Sequence, residues 1–107
     1  MSLNQVALMG KISNDPSMKY STNGLAITEF VLETTGSPNR PNDKHKIVCF
    51  GKGEGDDGVA GFVAQNMGKG TLVIVVGRLS GQEFTTKENK TFLNSQVNAF
   101  SVEKIGE

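Results

Sequence analysis

The nine residues from Lys44 to Lys52 constrain the fold most, because they alternate in character as the two faces of a β-strand do. One face would carry Lys44, Lys46, Val48, Phe50 and Lys52, and the other His45, Ile47, Cys49 and Gly51. The second face is suited to a core. The first sets an aromatic ring among cations, a combination that can stack a base and hold a backbone phosphate. Lysines on a strand also serve solubility alone, so the rest of the chain must decide.

Four other segments have the composition or period of strands: residues 4–12, 25–34, 71–79 and 92–102. The segment 71–79 is apolar on both faces, which predicts a central and buried strand, and Gly77 within it predicts a bend or a close approach. Turn signals lie between the segments. Asn14-Asp15-Pro16 ends the first segment, and Asn23-Gly24 is a hairpin signal before the second. Residues 35–43 contain two prolines and little to bury, which predicts a long exposed loop.

One short helix is predicted over residues 59–67, with Asp57 as its cap and Gly68 as its stop. Its apolar residues lie near one stripe, which is expected to face the core: Val59, Phe62, Val63 and Met67. Residues 80–91 predict a protruding hairpin with a charged tip. The aromatic ring of Phe84 in this hairpin has no evident core to enter.

Five strands with one short helix between the third and the fourth predict an all-β fold. The order and the size are typical of the five-stranded oligonucleotide/oligosaccharide-binding barrel, the OB-fold, which a helix closes at one end. An SH3-like barrel is the alternative, although its connections are shorter and it usually lacks a helix at this position. With 107 residues and 36% hydrophobic content, residues 1–107 are expected to form a single domain that buries roughly two-thirds of its unfolded surface.

Composition narrows the functional classes. Eleven basic and eleven acidic residues give a formal net charge of zero, so electrostatic attraction must come from local patches such as residues 40–52, with four cations and one acid. The lone cysteine, Cys49, predicts a small buried side chain in a reducing compartment and excludes an internal disulfide or a Cys-rich zinc site. The sequence contains neither a signal peptide nor a membrane span, so we expect a cytoplasmic protein.

The sequence contains no catalytic or cofactor motif. The glycine-rich segment 53–58 lacks the order of a phosphate loop, carries three carboxylates that would repel phosphate, and lacks the spacing of a calcium loop. His45 would lie on the core side of its strand, and no serine or carboxylate is spaced to make it a base. We therefore predict a protein that is not an enzyme and binds no cofactor or metal.

A set of motifs runs in order from Asn4 to about Val102. They are Asn4-Gln5-Val6-x-Leu8-x-Gly10-x-Ile12, Asp15-Pro16, Tyr20-x-x-Asn23-Gly24, Ile47-Val48-Cys49-Phe50-Gly51-Lys52 and Gly68-Lys69-Gly70-x-x-Val73-x-Val75-x-Gly77-Arg78-Leu79. In content and spacing they resemble the bacterial single-stranded DNA-binding protein (SSB) family. The resemblance implies an OB-fold subunit that binds single-stranded DNA without sequence preference in DNA replication, recombination and repair. It also implies a homotetramer, or a homodimer, with contacts on the outer face of the first strand near Gln5, Met9 and Lys11.

The resemblance further implies which residues bind the DNA. Bases would stack on Phe50 and Phe84, with Tyr20 and Phe92 as weaker candidates. Phosphates would contact cations on the sheet face and in two loops: Lys11, Lys19, Arg40, Lys44, Lys46, Lys52, Arg78 and Lys87.

The chain departs from the family in two respects. Well-studied members have tryptophans at the positions of Pro38, Lys44 and Phe84, and this chain has no tryptophan. Because stacking is worth roughly 1–3 kcal/mol per base, the loss predicts weaker binding unless further cations or the summed contacts of a tetramer offset it. The second is an expectation: because the given sequence ends at Glu107, we expect no acidic tail of the kind usual in the family. The alternative is an SSB-like or primosomal replication protein that binds single-stranded DNA weakly and acts mainly through contacts with replication-restart or repair proteins.

Overall fold

The structure is a computed structural model that describes residues 1–105. Within these residues the chain forms six strands and one helix: β1 (Val6–Ile12), β2 (Ser17–Tyr20), β3 (Ala26–Thr34), β4 (Asp43–Phe50), α1 (Gly58–Asn66), β5 (Leu72–Thr85) and β6 (Thr91–Lys104). Five strands close into a ring in the order β1, β3, β4, β6, β5 and back to β1. This confirms the predicted five-stranded OB-fold barrel rather than the SH3-like alternative.

The sixth strand, β2, lies outside the ring and was not predicted. It pairs antiparallel with β3, with Met18 opposite Thr28, and the predicted turn at Asn23-Gly24 joins the two strands. Gly24 has a φ of 82°, a conformation that glycine adopts without strain. A strand of four residues is too short to show a period-two alternation, so the sequence did not predict β2. Because of this additional strand, α1 lies between the fourth and fifth strands of the chain, β4 and β5, and not between the third and the fourth as predicted.

The core fills the barrel from the inward side of each strand. Strand β3 alternates between buried and half-buried positions, and the buried hydroxyl of Thr28 donates a hydrogen bond of 2.8 Å to the Ala60 carbonyl of α1. In β4, Ile47 and Cys49 are fully buried, as their predicted face requires. Burial raises the pKa of the Cys49 thiol to about 12, so the thiol stays protonated and unreactive.

Helix α1 differs from the prediction in two ways. Val63 and Met67 are buried as expected, but Phe62 is 50% exposed and Ala60 takes a core position instead. At 3.6 residues per turn, Phe62 lies roughly 100° from Val63, on the side away from Ala60 and Met67. The second difference is that Asp57 is the N-cap residue but its side chain caps no backbone N–H. In residues 1–105 no helix is long and apolar enough to cross a bilayer.

Strand β5 is not buried on both faces, contrary to the prediction. Its inward residues Val73 and Val75 are fully buried, whereas Ile74 and Leu79 are 38% and 48% exposed. On the outer side, β5 pairs with β1 and forms a surface that we call the aliphatic face: Ala7, Met9, Ile74 and Val76. The predicted close approach at Gly77 is confirmed, because a Cβ there would collide with the Asn98 carbonyl oxygen beside a β-bulge in the pairing with β6.

Candidate nucleic-acid interface

The register of β4 places alternate side chains on one outer face of the barrel. Phe50 and Lys46 alternate with the buried residues of the strand, and both are exposed, as the sequence predicts. Strand β6 runs parallel to β4 with Val48 opposite Asn98. Because directly paired residues point to the same side of a sheet, the outward residues of β4 share a surface with Asn98 and its outward neighbours on β6.

The hairpin formed by β5 and β6 extends this surface beyond the barrel. Phe84 lies opposite Phe92 near the hairpin tip, and their rings stack with centroids 5.6 Å apart and an angle of 29° between planes. Both rings are nearly half exposed. We call the outward residues of the three strands the aromatic face: Lys44, Lys46, Val48, Phe50, Arg78, Ser80, Gln82, Phe84, Phe92, Asn94, Gln96 and Asn98.

A polar groove of about 420 Å³ crosses the aromatic face between β4 and the hairpin. Its lining residues contribute amides, hydroxyls and one ammonium group: Lys46, Ser80, Gln82, Asn94, Ser95 and Gln96. Val48 is only 4% exposed although it lies outside the core cluster, since Glu29 and Asn98 flank it in the sheet. Side chains that donate and accept hydrogen bonds suit a polar, extended ligand better than an apolar one.

The carboxylate of Glu29 forms ion pairs with two of the predicted cations. The ammonium of Lys46 lies 3.1 Å from Glu29 Oε1, and that of Lys19 lies 3.6 Å from Glu29 Oε2. The hydrogen bond from Lys46 lowers the pKa of Glu29, against a smaller opposing effect of desolvation. The carboxylate is therefore charged at neutral pH and offsets positive charge beside the aromatic face. Both lysines remain more than half exposed, so a phosphate can reach them.

The other predicted cations are exposed, and the structure distributes them in two groups. Lys44 and Arg78 lie on the aromatic face, opposite Glu33 and Asn98 respectively. The second group lies outside this face: Lys11 on β1, Arg40 in the loop between β3 and β4, Lys52 just after β4, and Lys87 at the hairpin tip. The aromatic face thus combines Phe50, Phe84 and Phe92 with three of the eight predicted cations, Lys44, Lys46 and Arg78.

Tyr20 lies apart from the other predicted aromatic residues. It pairs with the buried residue Ala26, whereas Phe50 pairs with the next residue, Ile27, so Tyr20 projects to the opposite side of the sheet. Its hydroxyl donates a hydrogen bond of 2.8 Å to Asp57 Oδ2, which raises the pKa of Tyr20. This contact also explains why the Asp57 carboxylate does not cap α1. A role for Tyr20 in stacking stays a prediction.

His45 occupies the side of β4 that the sequence predicts. It is half-buried opposite Leu32, and its Nε2 lies 3.0 Å from the Thr34 hydroxyl. In the described part of the chain, no group of three or more His, Cys, Asp or Glu side chains is placed to hold a metal ion.

The sequence predictions gave no binding role to the amide side chains of the groove or to Phe100, and they placed Phe62 in the core. The alternation of residues 92–102 places Gln96 and Asn98 on the same side as Phe92. No sequence signal sets Gln96 opposite Ser80, because the strand pairing alone brings them together. Phe100 follows the same alternation, and this alternation was the sequence signal that could have predicted its exposure.

An OB-fold barrel with rings, amides and cations along one outer face has the architecture of a nucleic-acid-binding domain. The single-strand binding protein family matches residues 3–105, and the chain belongs to this family. It is 31% identical to the single-stranded DNA-binding proteins of Xanthomonas campestris pv. campestris and Xanthomonas axonopodis pv. citri, over 97% of this chain and 61% and 58% of theirs. Identity to the corresponding Oceanobacillus iheyensis protein is 32%, over 94% of this chain and 62% of that protein. The chain spans about three-fifths of the length of these relatives.

Proposed function

We propose that the chain binds single-stranded DNA without base preference along the aromatic face. The observation that carries the proposal is the alignment of Phe50 with the stacked pair Phe84 and Phe92 on one surface, separated by a polar groove. Every base has a flat π-face, so aromatic rings accept any sequence. Lys44 and Lys46 lie on the same surface as the rings, where their ammonium groups can neutralise phosphates.

The groove between the rings is suited to bases of any kind. Amide groups such as those of Gln82 and Asn94 can both donate and accept hydrogen bonds, so they can satisfy different base edges. The relatives are named single-stranded DNA-binding proteins, and we assign this chain the same ligand. We place its role in DNA replication, recombination and repair, as a cytoplasmic, nucleoid-associated protein that holds exposed single strands and catalyses no reaction.

We also infer that the chain associates with copies of itself, as a homotetramer or a homodimer. The aliphatic face supports this inference, because Met9 is 62% exposed and lies opposite Ile74, which is 38% exposed. Contiguous exposed apolar side chains of this kind are typical of protein interfaces. A twofold pairing through the face would put each Met9 near its counterpart and bury both.

The test of DNA binding is a fluorescence-anisotropy titration with oligo-dT at several salt concentrations. The affinity should fall as salt rises, with a slope near −0.7 per phosphate contact in a plot of log K against log salt. Absence of binding at low salt would overturn the proposal. If the protein instead captured a replication-restart protein while its affinity for oligo-dT stayed negligible, the alternative role in protein contacts would be supported.

The variant Phe50→Ala tests the mechanism at one residue. It should weaken oligo-dT binding by about 1–3 kcal/mol, because one stacking platform is lost. Leu93→Ala is the matched control. Leu93 is 78% exposed, but it pairs with Glu83, so its side chain lies on the face of the hairpin opposite to Phe84 and Phe92. Its truncation should therefore leave binding unchanged. Equal affinities for Phe50→Ala and the unmodified protein would assign Phe50 a structural role instead.

A further inference from the structure

We propose a second base-binding site in a groove between α1 and β6, where Phe62 and Phe100 stack a base of a strand that has left the aromatic face. This inference rests on the proposed function. The groove has a volume of about 370 Å³, and we call it the helix groove; it is lined by Lys52, Gly58, Val59, Phe62, Phe100, Ser101, Val102 and Glu103.

The first argument is the exposure of the two rings. Phe100 is 61% exposed and Phe62 is 50% exposed, although their neighbours Ala99, Val102 and Val63 are buried. Two phenylalanine rings that border one groove form an apolar patch of the kind that marks an interaction site. Barrel packing does not account for them, since Ala60 and Val102 fill the neighbouring core positions.

The second argument is the β-bulge that positions Phe100. Opposite β6, Val76 pairs with Ser101 and Gly77 pairs with Ala99, so Phe100 is the extra residue and has no partner on β5. A bulge re-aims a side chain without ending the strand. Phe100 at this bulge borders the same groove as Phe62 of α1.

The third argument is continuity with the aromatic face. The parallel pairing of β4 and β6 ends with Cys49 opposite Ala99, and Phe50 and Phe100 are the next residues of their strands beyond this last pair. From Phe92 to Phe100 a strand of eight steps spans roughly 26 Å. The rings therefore form a line from the hairpin tip, past Phe50, to the helix groove.

The charges around the groove suit a nucleotide. Lys52 borders the groove and can hold a phosphate while the base enters between the rings. Glu103 borders the same groove, so a second phosphate there would be repelled. One cation and two exposed rings on a single groove repeat the composition of the aromatic face, where Lys46 and Phe50 lie on the same side of β4. This similarity favours a base of the same single strand over a segment of another protein.

Tryptophan fluorescence gives a direct test, because the chain contains no tryptophan and a single introduced indole reports on one site. We would compare Phe100→Trp with Phe50→Trp, titrating each with oligo-dT of about 6 and about 16 nucleotides, within the range that OB-folds bind. The longer oligonucleotide should quench the emission of both variants, and the shorter should quench Phe50→Trp more strongly. Unchanged Phe100→Trp emission at saturation of Phe50→Trp would overturn the second site and leave the proposed function intact.

Affinities provide the complementary test. Phe100→Ala should weaken binding of the longer oligonucleotide by about five- to hundredfold and leave binding of the shorter one within about twofold. Leu93→Ala again serves as the control. If Phe50→Ala lowers both affinities while Phe100→Ala lowers neither, the helix groove binds no DNA. If Phe100→Ala changes the mass measured by light scattering but not the affinity for DNA, the groove is a contact between copies of the chain and the inference is wrong.

Discussion

The aromatic face and the aliphatic face are two outer surfaces of one barrel, and both leave apolar side chains in water. On the aromatic face, rings such as Phe50 alternate with cations such as Lys46 and with amides. On the aliphatic face, Met9 and Ile74 lie opposite each other with Ala7 and Val76 beside them, and the nearest charges are Lys11 and Glu103 at the margins.

Both faces expose apolar area but differ in the shape and charge of their side chains, so exposed apolar area does not by itself identify a ligand. A planar ring stacks a base, and a cation beside it holds the adjoining phosphate, so the two must alternate along a strand. Aliphatic side chains offer no flat surface to a base but pack well against another protein, where charges are depleted from the interface core. This difference is the basis for proposing that the barrel binds DNA on the aromatic face and a further copy of the chain on the aliphatic face.

The largest change is expected in self-association, which should depend on the aliphatic face and not on the aromatic face. Met9→Asp should disrupt self-association, because an unpaired buried charge costs about 3–5 kcal/mol, equivalent to roughly 100-fold or more in the association constant. Light scattering should show a smaller mass, while binding of a short oligo-dT by each barrel is retained. Phe50→Ala should leave the mass unchanged. A Met9→Asp protein with the mass of the parent would remove the aliphatic face as an interface.

Next in size is the loss of a stacking platform from the hairpin. Phe84→Ala removes both a base platform and the partner of Phe92, so oligo-dT affinity should fall by about 1–3 kcal/mol. Phe84→Trp should bind oligo-dT at least as tightly as the parent protein, since the indole offers a larger ring. Anisotropy titrations would measure both. Unaltered affinity of Phe84→Ala would exclude the hairpin tip from the DNA path.

Glu29→Gln should change the affinity for oligo-dT by a smaller amount, and it should raise the affinity where the preceding substitutions lower it. The change releases Lys19 and Lys46, so oligo-dT affinity should rise by roughly two- to tenfold and the salt slope should steepen by about 0.7 for each additional phosphate that these lysines bind. Because the hydrogen bond from Lys46 lowers the pKa of Glu29 below the usual range of a glutamate, the carboxylate stays charged near neutral pH and the effect should not vary with pH there.

The control for this prediction is Glu54→Gln, which removes the same charge from the exposed loop before α1. It should raise affinity less than Glu29→Gln and leave the salt slope unchanged. An equal rise for both variants would mean that Glu29 acts through the overall charge of the protein and not through its two lysines.

The smallest effect is expected at Tyr20, which faces away from the aromatic face. Tyr20→Phe removes the hydrogen bond to Asp57 and keeps the ring, and the affinity for oligo-dT should change by less than about twofold, as for most surface substitutions. Tyr20→Ala should behave alike if the DNA path avoids this residue. A loss as large as that of Phe84→Ala would instead place Tyr20 on the path.

From the sequence alone, the five strands of the barrel could be predicted, together with the inner and outer faces of β4 up to Phe50. Period-two alternation assigned Phe50 to the outside and Cys49 to the core, and the turn residues at Asn23-Gly24 located a hairpin. These signals are local, because side-chain direction and turn geometry depend on neighbouring residues. The helix stripe was less well determined, since Phe62 and Ala60 flank Val63 on opposite sides and apolarity alone favours the larger side chain.

Tertiary structure alone decided which strands are neighbours, and with them the composition of each surface. The pairing of β2 and β4 with β3 brings Lys19 and Lys46 to Glu29, and the bulge beside Gly77 leaves Phe100 without a partner on β5. The physical reason is that alternation specifies the side of a sheet to which a residue points but not the strand that lies beside it. That choice is made when the ring closes and hydrogen bonds join segments far apart in the chain.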